Sequence, residues 1–169
     1  MDTFIKFSAQ YLFLFVILVI VVALIKTPKD QRFRFLAAII FSGIIAFILS
    51  RIAGKLYYDP RPFVTEHVKP LIPHAADNGF PSDHALLTGT LTAIAFYFNK
   101  KYATAMLVLT LIIGWARVAA KVHSPLDIAG GWIFGIIGAV AGYYLIDWYF
   151  KKYDPKIPFS KTSTKVNKN

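Results

Sequence analysis

The chain predicts an all-α protein, a polytopic membrane bundle of five transmembrane helices, on three observations. Apolar residues make up 56% of the 169 positions and charged residues only 17%, where soluble domains carry about 25% charged residues. The apolar residues fall in long uninterrupted blocks. The basic residues gather in alternate connecting segments, as they do around membrane spans.

The first block, Ser8 to Ile25, holds no charge. Lys26 follows it instead of a small-residue cleavage site, so it reads as a retained span and not as a signal peptide. The second runs from Phe35 to Ile48 and reaches spanning length with its flanks, Phe33 to Gly54. The third, Ala85 to Phe98, has 14 residues and spans only if Ser82 to His84 sit at its mouth, since a crossing needs roughly 17–25 residues. The fourth is Tyr102 to Ala120 and the fifth Ile128 to Phe150. The last carries Gly131 and Gly135, then Gly138 and Gly142, a small-residue spacing that lets helices approach closely. Residues 1–156 form one membrane domain. Residues 157–169, rich in Lys, Ser, Thr and Asn, are expected to be a disordered cytoplasmic tail.

The net charge of +10 is largely a topology signal. Lys26, Lys29, Arg32, Arg34, Lys100, Lys101 and the six lysines from Lys151 onward supply 12 of the 19 Lys and Arg, all on one side. The positive-inside rule makes that side cytoplasmic, so a nucleic-acid partner is not called for. The absence of Cys excludes disulfides and thiolate chemistry. The opposite side holds the segment Lys55 to Ser82 and the short turn Lys121 to Leu126. All four histidines lie there, with Arg61, Arg117 and Asp127. The polar chemistry is gathered at one membrane face.

Three segments on that face suit a phosphate. Arg61 stands between Pro60 and Pro62; two prolines restrict the backbone and pre-organise a guanidinium fork for phosphate oxygens. Pro81-Ser82-Asp83-His84 runs into the third helix, whose first turn offers free N–H groups and the positive end of the dipole. Ser82 adds a hydroxyl and His84 a group that exchanges protons near neutral pH. In the third segment Arg117 closes one helix, and Ser124-Pro125 opens the next. His123 precedes that start, and Asp127 follows it by four residues. A carboxylate so placed is able to hold one imidazole nitrogen and leave the other free to attack. Each segment alone also has a plain structural reading, as an interfacial Arg, a helix cap or a structural His. Together they supply two Arg, one Ser, two His and one Asp, an inventory for phosphoryl transfer.

In this order the segments resemble the type 2 phosphatidic acid phosphatase superfamily of membrane lipid phosphatases. LIPHAADNGFPSDH and the preceding DPRPFV are similar to its bacitracin-resistance type of undecaprenyl-diphosphatase. The resemblance implies His123 as nucleophile, Asp127 as its orienting carboxylate, and His84 as general acid and then base. It implies Arg61, Ser82, Arg117 and the backbone beside Asp83 as phosphate binders, with no metal and no cofactor. The implied reaction is hydrolysis of undecaprenyl diphosphate to undecaprenyl phosphate and inorganic phosphate through a phosphohistidine. The expected setting is a bacterial cell membrane, with the site on the extracytoplasmic face. A phosphatase for another lipid, such as phosphatidylglycerol phosphate or phosphatidic acid, and a lipid transporter are the alternatives.

The chain departs from the family pattern in three places. Gly54 stands where the family has Lys, leaving Lys55 or Arg51 as the replacement. Ala116 stands where it has Ser, and five helices are counted where it has six. His67, His74 and Glu66 receive no role.

Overall fold

The computed structural model describes residues 1–153; the predicted tail lies outside the described residues. The elements are α1 (Asp2–Gln10), α2 (Phe13–Lys26), α3 (Lys29–Leu56), the single turn α4 (Pro62–Thr65), α5 (Asp83–Phe98), α6 (Lys100–Ala119) and α7 (Pro125–Tyr153). No strand occurs among the described residues; one isolated bridge joins Pro60 to Asn78.

The described residues are all-helical and multi-pass, and length and composition alone mark fewer spans than the five expected. Among the described residues α3, α6 and α7 are long and apolar enough to cross a membrane, and a fourth span results if α1 and α2 are taken as one bent crossing. Helix α5 has 16 residues, about 24 Å at the α-helical rise, short of a hydrocarbon core of about 30 Å.

The first predicted block is also not one straight helix. It begins at Asp2 and breaks after Gln10, and its halves are bent by 48°. Neither Pro nor Gly lies at the break. The Ala9 carbonyl accepts instead from Arg117 Nη1 at 3.2 Å. A side chain that takes a ladder carbonyl is a recognised cause of a kink, and here it comes from the site itself.

The small residues of α7 let it lie against two neighbours. A Cβ on Gly131 would stand 2.7 Å from the Ser82 carbonyl oxygen, and one on Gly135 2.8 Å from Thr90 N, both in or beside α5. One on Gly138 would stand 2.6 Å from Ala46 Cβ, and one on Gly142 2.6 Å from Ser42 N, both in α3. The two glycine pairs thus serve different partners, and α3, α5 and α7 form the tight centre. Helices α2 and α6 close the other side through Val16, Ile20, Phe35, Leu91, Met106 and Ile113. The ends of α3 and α6 and the starts of α5 and α7 meet at one end of this bundle, where the long loop covers them.

Candidate active site

Loop 57–82 is built on Asn78. Its Oδ1 accepts from the backbone N–H groups of Asp59 and Phe80 at 2.9 and 3.0 Å, and its Nδ2 donates to the carbonyls of Gly54 and Tyr57 at 2.8 and 3.0 Å. One side chain thereby ties the end of α3 to the approach to α5 and presents Arg61 between them. Arg61 caps the start of α4 in extended conformation. Its Nε donates to Asp77 at 2.8 Å and its Nη1 to the Val122 carbonyl at 2.7 Å. The guanidinium is held at both ends and is only 5% exposed.

The turn after α6 delivers His123. Ser124 caps α7: its Oγ accepts from Asp127 N at 3.1 Å and donates to Asp59 at 2.8 Å. The first turn of α7 brings the fully buried Asp127 carboxylate back to Ser124 N at 2.9 Å and to His123 Nδ1 at 3.1 Å. A carboxylate only accepts, so Nδ1 carries the proton and Nε2 presents a lone pair. Nε2 lies 3.1 Å from Arg117 Nη2 and 3.3 Å from Arg61 Nη1. Gly79 permits this arrangement, since a Cβ there would come within 2.6 Å of Asp127 Oδ2.

A cavity of about 750 Å³ opens over His123. Arg61, Arg117, His84, Asp83 and Lys55 line it together with His123. Asp127 and Ser82 stand outside that lining. Ser82 is wholly buried at the start of α5; its N–H donates to the Asp127 carbonyl at 3.1 Å, and its hydroxyl has no partner among the described residues. Arg117 Nε is likewise buried and without a partner among them. Both are spare donors beside the cavity. His84 lies one position into α5, edge-on to Phe13 with ring centroids 5.0 Å apart. Lys55 makes no hydrogen bond or ion pair among the described residues.

Burial and the neighbouring arginines disfavour a second proton on the central imidazole. Burial lowers the His123 pKa below its ordinary 6.5, and Arg117 and Arg61 lower it further, against the opposing pull of Asp127. His74 is lowered chiefly by burial and then by the same two arginines. Its Nε2 stands 3.2 Å from Arg117 Nη2. The Arg61 guanidinium holds the Asp77 carboxyl below the usual range. The arrangement offers a neutral nitrogen nucleophile flanked by two fixed cations, the requirement for attack on a phosphorus bearing anionic oxygens.

Several participants were not legible as such in the sequence. Asp77 and Asn78 anchor Arg61 and its loop, Asp59 holds the Ser124 cap, and His74 joins the arginine cluster. The Asn78-Gly79 pair is an ordinary turn signal, and that was the one hint. The family Lys position also has a physical explanation. A Cβ on Gly54 would lie 2.9 Å from the Phe80 carbonyl oxygen, so a side chain does not fit there. Arg51, one turn earlier on α3, lines the cavity and pairs with Asp83.

Comparison with known proteins agrees on one lineage. Residues 33–151 match the model of the PAP2 superfamily. The bacitracin transport permease protein BcrC of Bacillus licheniformis is 38% identical over 136 residues, covering 79% of this chain and 66% of that one. Undecaprenyl-diphosphatase BcrC of Bacillus subtilis is 31% identical over 140 residues, covering 81% of this chain and 70% of that one. The chain thus spans about two thirds of the length of these two curated relatives. The crystal structure of Aquifex aeolicus LpxE superposes with a TM-score of 0.64 at 22% identity, covering 84% of this chain and 82% of that one. At that identity the likeness shows a shared fold.

Proposed function

Because the chain belongs to the PAP2 superfamily, matched over residues 33–151, we propose that it is a membrane lipid phosphatase hydrolysing undecaprenyl diphosphate. The observation that carries the proposal is the His123 ring, with Nδ1 on Asp127 and Nε2 between two buried guanidiniums.

Nε2 attacks the terminal phosphorus. The bond from that phosphorus to the bridging oxygen breaks, and undecaprenyl phosphate leaves with a proton from His84. Arg61, Arg117, the N–H groups at the start of α5 and the Ser82 hydroxyl meet the charge on the equatorial oxygens. Lys55 adds a mobile cation at the rim. Water, deprotonated by His84, then cleaves the phosphohistidine and releases inorganic phosphate. A diphosphate suits this site because its leaving group is a phosphate monoester, with second pKa about 6. An alkoxide leaving from a simple phosphate ester demands more of the acid.

In the bilayer we place five crossings, with α1 and α2 as one and α5 completed by the segment at its mouth. The site then faces the extracytoplasmic side of a bacterial membrane and the carboxyl terminus is cytoplasmic, as the lysine and arginine distribution favours. His123→Ala is expected to abolish phosphate release from purified protein, and a mutant turning over near the wild-type rate overturns the reading. A transporter is the second reading, favoured by the permease name of one relative. It predicts lipid movement across vesicles without phosphate release. The convergence of buried Arg61, Arg117, His123 and Asp127 at one cavity at one end of the bundle favours the phosphatase.

A further inference from the structure

A second depression of about 640 Å³ lies between α3 and α5. Unlike the catalytic cavity it is almost wholly apolar: Ile40, Ile44 and Phe47 of α3 and Leu87 of α5 form its walls. Its rims are exposed, whereas Ala46, Leu86 and Leu91 at its base are buried. Two further observations distinguish it from an ordinary lipid-facing surface. It shares Asp83 with the catalytic cavity. At that junction Arg51 pairs with Asp83 and lies over the Phe47 ring, 5.1 Å from its centroid. The polar end of the groove is therefore the rim of the phosphate site.

The second observation is Gly43. It sits inside α3 and in the groove, yet a Cβ built there meets nothing within 4 Å. Glycine inside a helix is unfavourable by roughly 0.5–1 kcal/mol relative to alanine. The glycines of α7 are explained by tight packing, but no packed neighbour explains Gly43. A space kept open does.

We propose that the α3–α5 groove holds the first part of the substrate's polyprenyl chain, which lies along Gly43 while its diphosphate sits beyond the Arg51–Asp83 pair. The proposal rests on the phosphatase reading and names the lipid subsite of that enzyme. Within a bilayer the groove supplies no hydrophobic drive, because lipid tails are as apolar as its walls. Its value is positional: a chain confined beside Asp83 presents the diphosphate at the cavity mouth in a fixed orientation. Gly43 lies eight residues before Arg51, about 12 Å down the helix, so only a chain of several isoprene units reaches it.

The test compares two diphosphates on purified full chain in detergent micelles, one carrying a single five-carbon isoprenyl unit and one a long polyprenyl chain. Gly43→Leu and Gly43→Phe place a side chain in the groove. The ratio of kcat/KM for the long substrate to that for the short one is expected to fall on the order of tenfold or more, the scale of a misplaced reacting group. An unchanged ratio, whether both rates fall or neither does, overturns the proposal. Independently of any variant, a long-chain diphosphate bearing a photoreactive group on its third isoprene unit should label residues 39–48 or 86–91; labelling confined to other helices also overturns it. Wild-type protein that releases phosphate from neither substrate contradicts the phosphatase reading instead.

Discussion

Replacing Asp127 with Asn tests the centre of the mechanism with little change in shape. The buried carboxylate accepts from Ser124 N and from His123 Nδ1. As Nε2 bonds to phosphorus the imidazole gains positive charge, about 4 Å from the carboxylate charge. At an effective dielectric constant of about 20, such a pair attracts by about 4 kcal/mol. Losing that attraction only as the charge develops slows the step on the order of 10³-fold. With its oxygen at the Oδ2 position the amide still accepts from both Ser124 N and His123 Nδ1, and its nitrogen then stands at the buried Oδ1 position, which has no partner among the described residues. The assay is kcat for phosphate release from undecaprenyl diphosphate in detergent micelles, with thermal unfolding measured alongside to check that the bundle is intact. A folded Asp127→Asn protein within about threefold of the wild-type kcat would refute the role given to this pair.

Three other outcomes follow from the same geometry. In the proposed mechanism His123 attacks as a neutral nucleophile, and its pKa is lowered from 6.5 by burial and the two arginines, so kcat/KM should fall with acid only below pH 6.5; a pH–rate profile with its acid limb centred above 7 contradicts this. In Asp127→Asn that limb should move to still lower pH, because the carboxylate raises the imidazole pKa. Arg51→Gln leaves Asp83 as an unpaired carboxylate at the cavity mouth, and KM for the diphosphate should rise while kcat changes little. The pair is solvent-exposed, its side chains 47% and 72% accessible, so stability should change by no more than about 1 kcal/mol; a large loss of thermal stability would make the pair structural. Gly142→Ala places a Cβ 2.6 Å from Ser42 N, and overpacking of this kind costs about 1–3 kcal/mol. The melting temperature should fall for Gly142→Ala and hold or rise for Gly43→Ala; equal behaviour of the two would show that close packing does not distinguish them.

The sequence by itself determined the helical class, the membrane setting and the gathering of Arg61, His84, Arg117, His123 and Asp127 at one end. Hydrophobic blocks are read by composition, and helix starts by Ser124-Pro125 and Pro81-Ser82, both local signals. The His123–Asp127 pair was legible for the same reason, because four residues at a helix start fold back within one turn. The tertiary structure alone decided what depends on distant parts of the chain. The bend between α1 and α2 has no breaker residue and arises where Arg117 takes the Ala9 carbonyl. Asn78 and Asp77 pass for ordinary loop residues until their partners at Gly54, Asp59 and Arg61 are known. The emptiness beside Gly43 and the crowding at Gly142 belong to identical residues in similar apolar helices. What separates them is the neighbouring helix, and no local pattern encodes where it passes.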